Sequence, residues 1–174
     1  KNREPAKHVA ASALGTPEFY AWTATHPDVQ LRPYSFTHDA SVLVSIENFV
    51  SINSAMEIDF FGQVNSEMIK GRQITGTGGA VDFMRGASAS KGGRSIIALT
   101  ATAAGGKLSR IIPSLLTGNA ATALRTDIDY VVTEYGVAHL RYLPVHQRAR
   151  ALIDIAAPSF QDELRDHAKR LFGR

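Results

Sequence analysis

The sequence predicts an α/β domain, and three observations predict it. Short apolar runs rich in β-branched residues, such as "RSIIALTAT" and "DYVVTEYG", alternate with segments that carry helix start signals. The chain has 174 residues, 44% of them hydrophobic, enough for one domain with its own core. Three glycines, Gly76, Gly78 and Gly79, then sit where an extended segment gives way to an apolar, helix-like one.

Along the chain, "HVAASALG" reads as a buried strand ending at Thr16, which can cap a helix opened by Pro17. "VQLRPY" alternates as a short strand, and "HDASVLVSIEN" reads as a helix with Asp39 at or near its N-cap. "FVSINSAMEIDFFGQVNSE" mixes β-branched and aromatic residues around Gly62, so it predicts strands joined by a turn. After the glycines, "AVDFMRGASAS" predicts two helical turns, followed by strands in "RSIIALTAT", "SRIIPSLL" and "DYVVTEYG". "AAGGKLS" is a loop inside the domain, because apolar segments flank it on both sides. Pro144 opens a helix with Val145, Ala149, Leu152, Ile153 and Ala156 on one face. A last helix is predicted from Ser159, with Asp162 completing a capping-box variant and Phe160, Leu164, Ala168 and Leu171 on one stripe.

Composition removes several classes of function. The chain has no cysteine, hence no disulfide, thiolate metal site or cysteine nucleophile, and a cytoplasmic setting fits. The net charge of +3 is dispersed with no lysine-arginine block, which argues for a solvated surface and against a nucleic-acid partner. No apolar run approaches the roughly 20 residues of a membrane span. Histidines 8, 26, 38, 139, 146 and 167 have no metal-ligand spacing, and no metal is expected. Lys1 is not an initiator methionine, and the sequence reads as part of a longer chain.

The glycine cluster fails as a dinucleotide fingerprint, which needs glycine where Val81 stands, and it lacks the lysine and Ser/Thr of a P-loop. Two readings remain: a tight turn, or a helix start whose free amides receive an anion or oxyanion. Ser88 and Lys91 match S-x-x-K, an unspecific serine-lysine pattern, while Lys91 before Gly92-Gly93 also reads as a charge held on a turn. Glu57 and Asp59, two apart on a strand, point the same way and are either solvated or part of a site. Glu134 stands at a strand end before Gly136, where α/β folds place functional groups.

Six blocks in order, "SINSAMEIDFFGQVNSE", "GTGGAVDFMRGA", "SKGG", "SRIIP", "VVTEYGVAHLR" and "RARALIDIAAPSFQDEL", resemble the C-terminal domain of the acetyl-CoA hydrolase/transferase family, which includes 4-hydroxybutyrate CoA-transferases. The resemblance runs from about His8 to the end. It implies an open, mostly parallel sheet with flanking helices, and coenzyme A as the carrier of the acyl substrate. In such enzymes a glutamate attacks the acyl-CoA thioester, and the resulting anhydride is converted to a glutamyl-CoA thioester that a second carboxylate or water resolves. By resemblance, Gly78 and Gly79 supply amides to the oxyanion, and Met56, Thr75, Gly79 and Lys91 contact CoA. The nucleophile's block has no counterpart here, and Glu57, Glu67 and Glu134 match non-nucleophilic positions.

The resemblance implies that residues 1–174 are one domain lacking its first segment and the N-terminal CoA-transferase domain. The full-length enzyme is then expected to be a homodimer acting on acyl-CoA and small carboxylates, and this chain alone to be inactive. Acetyl-CoA hydrolysis, a non-catalytic CoA-binding module and a serine hydrolase using Ser88 and Lys91 are the rival readings.

Overall fold

The computed structural model describes residues 2–173. Strand β1 (His8–Ala10) leads through helix α1 (Pro17–Thr25) to strand β2 (Val29–Leu31), which pairs with β1 in parallel. The Thr16 side chain accepts a hydrogen bond from the Phe19 N–H at 3.3 Å, and Pro17 opens α1, as the sequence predicts. A short α2 (Tyr34–Thr37) precedes α3 (Ala40–Val44), whose N-cap is Asp39. That helix stops at Val44 and does not reach Asn48, which has a left-handed φ of 54°.

Strand β3 (Val50–Asn53) begins the main sheet, and β4 (Glu57–Asp59) with β5 (Val64–Asn65) forms an antiparallel hairpin beside it. The hairpin turn uses Gly62 at φ +87°, a left-handed conformation that glycine adopts without strain. A small ladder, β6 (Met68–Ile69) with β7 (Arg72–Gln73), leads into the glycine loop and helix α4 (Ala80–Ala89). Strand β8 (Arg94–Ala98) pairs in parallel with β3, Ile52 opposite Ile96. The expected "AAGGKLS" loop is the tip of a hairpin between β9 (Thr102–Ala103) and β10 (Leu108–Ser109).

Strand β11 (Ile111–Ile112) joins β4 in parallel, and β12 (Tyr130–Thr133) joins β8 in parallel. Strand β13 (Gly136–His139) turns back antiparallel on β12, giving the main sheet the order β13-β12-β8-β3. An open, mostly parallel sheet with flanking helices is thus present, accompanied by the separate β11-β4-β5 sheet. Helices α5 (Val145–Asp154) and α6 (Pro158–Phe172) close the chain.

The two terminal helices depart from their sequence reading in detail. Helix α6 starts at Pro158, after an Ala157 N-cap that has no side-chain hydrogen bond, so Ser159 is already inside it. Asp162 accepts from Arg165 Nη1 at 2.8 Å and is fully solvated, so the capping box does not form. Proline supplies a helical φ and needs no donor, which makes Pro158 the better first residue. On the apolar stripe, Leu164 is buried, but Phe172 packs on the core while Leu171 is largely exposed. Phe60, Ile58, Met84, Ile97 and Leu152 are fully buried, and they tie both sheets, α4 and α5 into one core.

Candidate active site

Helix α4 runs antiparallel to β3. The Asn48 N–H donates to the Lys91 carbonyl at 2.8 Å, and the Phe49 N–H to Ser90 Oγ at 3.4 Å. These bonds fix the C-terminal end of α4 at the start of β3. The N-terminal end, with its glycines, therefore lies toward the carboxyl ends of the parallel strands, where α/β sheets bind ligands. No side chain caps α4, and its N-cap is Gly79. The first-turn amides at such an end carry partial positive charge.

The three glycines have different reasons. Gly78 has φ +57° with nothing within 4 Å of where a Cβ would stand, so only its left-handed backbone favours glycine. At Gly79 a Cβ would collide with the His38 ring. That ring is held edge-on to Phe83 at 4.9 Å between centroids, beside Tyr34 at 5.1 Å, with Nδ1 2.9 Å from Thr37 Oγ1. Gly76 has open space and no left-handed φ, so neither argument applies there.

Glu67 secures the approach to this loop. Its carbonyl accepts from the Ile74 N–H at 2.8 Å and the Thr75 N–H at 3.3 Å. Glu67 is 7% exposed, and its carboxylate accepts from Gln73 Nε2 at 2.7 Å and Thr122 Oγ1 at 2.9 Å. Sequence reasoning missed both Glu67 and His38 as supports of the loop. Thr122 is 55 residues from Glu67, and nothing in the local pattern around His38 announces Gly79.

The other candidates are dispersed. Met56 is half-buried and donates its N–H to the Asn65 carbonyl at 2.9 Å; Thr75 is exposed beside the glycines. Lys91 lies at the far end of α4, its side chain 87% exposed and 3.6 Å from Glu47. The ten residues of α4 separate Gly79 from Lys91 by a rise of about 15 Å. Ser88 Oγ donates to Asp129 Oδ2 at 3.4 Å, and Lys91 Nζ is turned to Glu47, so the serine-lysine pair is not assembled.

The carboxylates divide by their partners. Glu57 Oε1 accepts from Asn65 Nδ2 at 2.8 Å and Asn119 Nδ2 at 2.7 Å. Asp59, fully buried, accepts from the Phe61 and Gln63 amides at 3.0 and 2.9 Å. Both are occupied in holding turns. Glu134 is exposed between β12 and β13, its Oε2 accepting from the Ala101 N–H at 2.8 Å. It shares a shallow hollow with Ser54, Thr100 and Arg110 at the carboxyl edge of the sheet. Arg110 Nη1 donates to the Ala55 carbonyl at 3.2 Å.

Two guanidinium groups are shifted from their ordinary range. The Asp127 carboxylate, bonded to Arg85 Nε at 3.1 Å, raises the Arg85 pKa. Burial lowers that of Arg148, with the Arg125 charge adding to it; Arg148 donates to the Arg125 and Leu143 carbonyls at 2.7 and 3.0 Å. Among the described residues no group of three or more His, Asp or Glu side chains could hold a metal ion.

An open, mostly parallel sheet with a glycine-started helix packed on it defines an α/β domain. Residues 15–168 match the family model described as the acetyl-CoA hydrolase/transferase C-terminal domain, and the chain belongs to that family. It is 46% identical over 172 residues to the 4-hydroxybutyrate coenzyme A transferase of Clostridium kluyveri, covering 99% of this chain and 40% of that protein. It is 40% identical to the butyryl-CoA:acetate CoA-transferase of Anaerostipes caccae, over 98% of this chain and 39% of the relative. The crystal structure of RipA from Yersinia pestis superposes with a TM-score of 0.90 at 42% identity, over 98% of this chain and 38% of RipA. The chain thus spans about two fifths of the proteins it matches.

Proposed function

We propose that residues 1–174 form the C-terminal domain of an acyl-CoA:carboxylate CoA-transferase that works through a glutamyl-CoA thioester. The nucleophilic glutamate lies in a segment outside these residues, as does the N-terminal CoA-transferase domain. In this reading the glutamate carboxylate adds to the acyl-CoA carbonyl and CoA thiolate leaves, giving a mixed anhydride. The thiolate then adds to the glutamyl carbonyl, the acyl carboxylate departs, and a second carboxylate reverses the sequence. Each addition places negative charge on a carbonyl oxygen, and each amide aimed at it contributes about 3 kcal/mol.

The observation that carries the reading is the start of α4, where no side chain caps the helix, Gly78 has open space around it and Gly79 is the N-cap. The amides of Gly78 and Gly79 are the proposed oxyanion donors. Met56, Thr75 and Gly79 line the thioester end of CoA, and Lys91 reaches a distal, anionic part of it. The full-length enzyme is a homodimer in this reading, and the 174-residue chain is inactive alone.

Mass spectrometry of the full-length enzyme after acyl-CoA and borohydride tests this. It should mark one glutamate outside these residues; a mark on Glu57 or Glu134 would overturn the assignment. The hydrolytic rival differs in letting water resolve the glutamyl-CoA, read as acyl-CoA loss without an acceptor carboxylate. Loss of activity in Ser88→Ala with CoA binding intact would instead restore the serine hydrolase.

A further inference from the structure

The main sheet is covered on one face only. Ser51, Ser95, Ile97, Val131 and Ala138 are buried, with Met84 and Ala87 of α4 packed into the same interior. Alternation along each strand puts Val50, Ile52, Ile96, Tyr130, Val132 and Val137 on the other face, with Arg94 opposite Val50 and His139 opposite Tyr130 at its margins. The register confirms that they form one surface: Ile52 stands opposite Ile96, Ile96 opposite Tyr130, and Val132 opposite Val137. Ile52 is 67% exposed, Val137 64% and Val50 42%. Among the described residues no helix covers this surface.

Sheets built from parallel strands are found with both faces covered, and their strands are apolar on both sides for that reason. Strands β8 and β12 have that two-sided apolar character through Ile96 and Ile97 and through Val131 and Val132, yet only one side is packed. Exposed apolar residues grouped on one face and rimmed by polar ones mark a contact.

We propose that the open face is seated on the portion of the same polypeptide that lies outside these 174 residues. The length supports that occupant: three fifths of each matched relative has no counterpart here. The inference rests on the reading of the chain as one domain of a longer transferase.

The chain is naturally free of cysteine, so Ile52→Cys and Val137→Cys each introduce one unambiguous probe. Iodoacetamide labelling of each variant, resolved by peptide mass spectrometry, is compared between the 174-residue chain and the polypeptide its gene encodes. Both sites should label in the short chain at nearly the denatured rate, and at least ~10-fold more slowly in the longer one. Equal rates in the two would overturn the proposal. Protection that appears in the short chain and grows with its concentration would also overturn it, assigning the face to a second copy.

Ile52→Lys gives a second measurement. It should leave the melting temperature of the short chain unchanged and lower that of the longer polypeptide. Transferase activity is assayed on the same unsubstituted polypeptide. Protection without activity removes the functional reading and keeps the interface, and activity without protection does the reverse.

Discussion

The His38 ring occupies the space that a Cβ on Gly79 would fill. The absent side chain at the start of α4 therefore answers first to a neighbour inside the fold. Phe83, Tyr34 and Thr37 contact the ring from three sides, so displacing it would break these contacts. Gly79→Ala should cost about 1–3 kcal/mol in a denaturant melt, the usual penalty for overpacking. In the His38→Ala background the same change should cost less, a coupling of at least ~0.5 kcal/mol for residues in contact. Additive losses would dissolve the relationship.

Gly78 behaves differently. Its left-handed φ leaves a new Cβ in open space, so Gly78→Ala meets only backbone strain, about 1–2 kcal/mol. This loss should be independent of His38, and a double-mutant cycle between them should show no coupling.

At Gly86, inside α4, a Cβ would stand 2.5 Å from the Leu43 Cβ of α3. Helix propensity favours alanine there by about 1 kcal/mol. The clash should win because Leu43 is itself buried, so thermal melts of Gly86→Ala are expected to show net destabilisation. Leu43→Ala in that background should recover part of it.

Asp39 links stability to pH. The Ser41 hydroxyl and the Val42 N–H donate to its carboxylate, which lowers its pKa below the ordinary value. Its charged form is thus favoured in the folded state. The resulting stability is present above the unfolded carboxyl range, about pH 4, and disappears as pH falls through the folded pKa. Melts of the wild type and Asp39→Asn should differ at neutral pH and converge in acid; a difference that persists in acid would refute the linkage.

Glu67 anchors the approach to the glycines through two side-chain donors and two backbone amides. Glu67→Ala removes the acceptor of Thr122 and one of the two acceptors of Gln73, which keeps the Thr75 carbonyl, and should cost about 1–3 kcal/mol. Hydrogen exchange should show the largest change at Ile74 and Thr75.

Much of this architecture was legible because local chemistry and tertiary structure agree. Thr16-Pro17, Asp39 and Gly62 each act where their short-range signals place them. The stripe on α5 buries Ala149, Leu152 and Ile153 as its spacing predicts. The last helix was misread where serine and proline compete for the first turn, a choice made by backbone geometry. Glu57 and Asp59 were ambiguous on a strand, because their partners come from Asn119 and from the turn at Gln63. At the candidate site, the open helix start was readable from glycine spacing, whereas the His38 contact joins two segments 41 residues apart.

Helix α4 is also a ruler. Its two ends carry the candidate oxyanion amides and the candidate lysine, about 15 Å apart for ten residues. A free carboxylate or a short thioester can engage one end at a time. Only an extended carrier bearing negative charge far from its sulfur can span both. Selection among acyl carriers by reach would then be set by the length of a helix, and shortening the carrier to a pantetheine stub would remove the lysine's share alone.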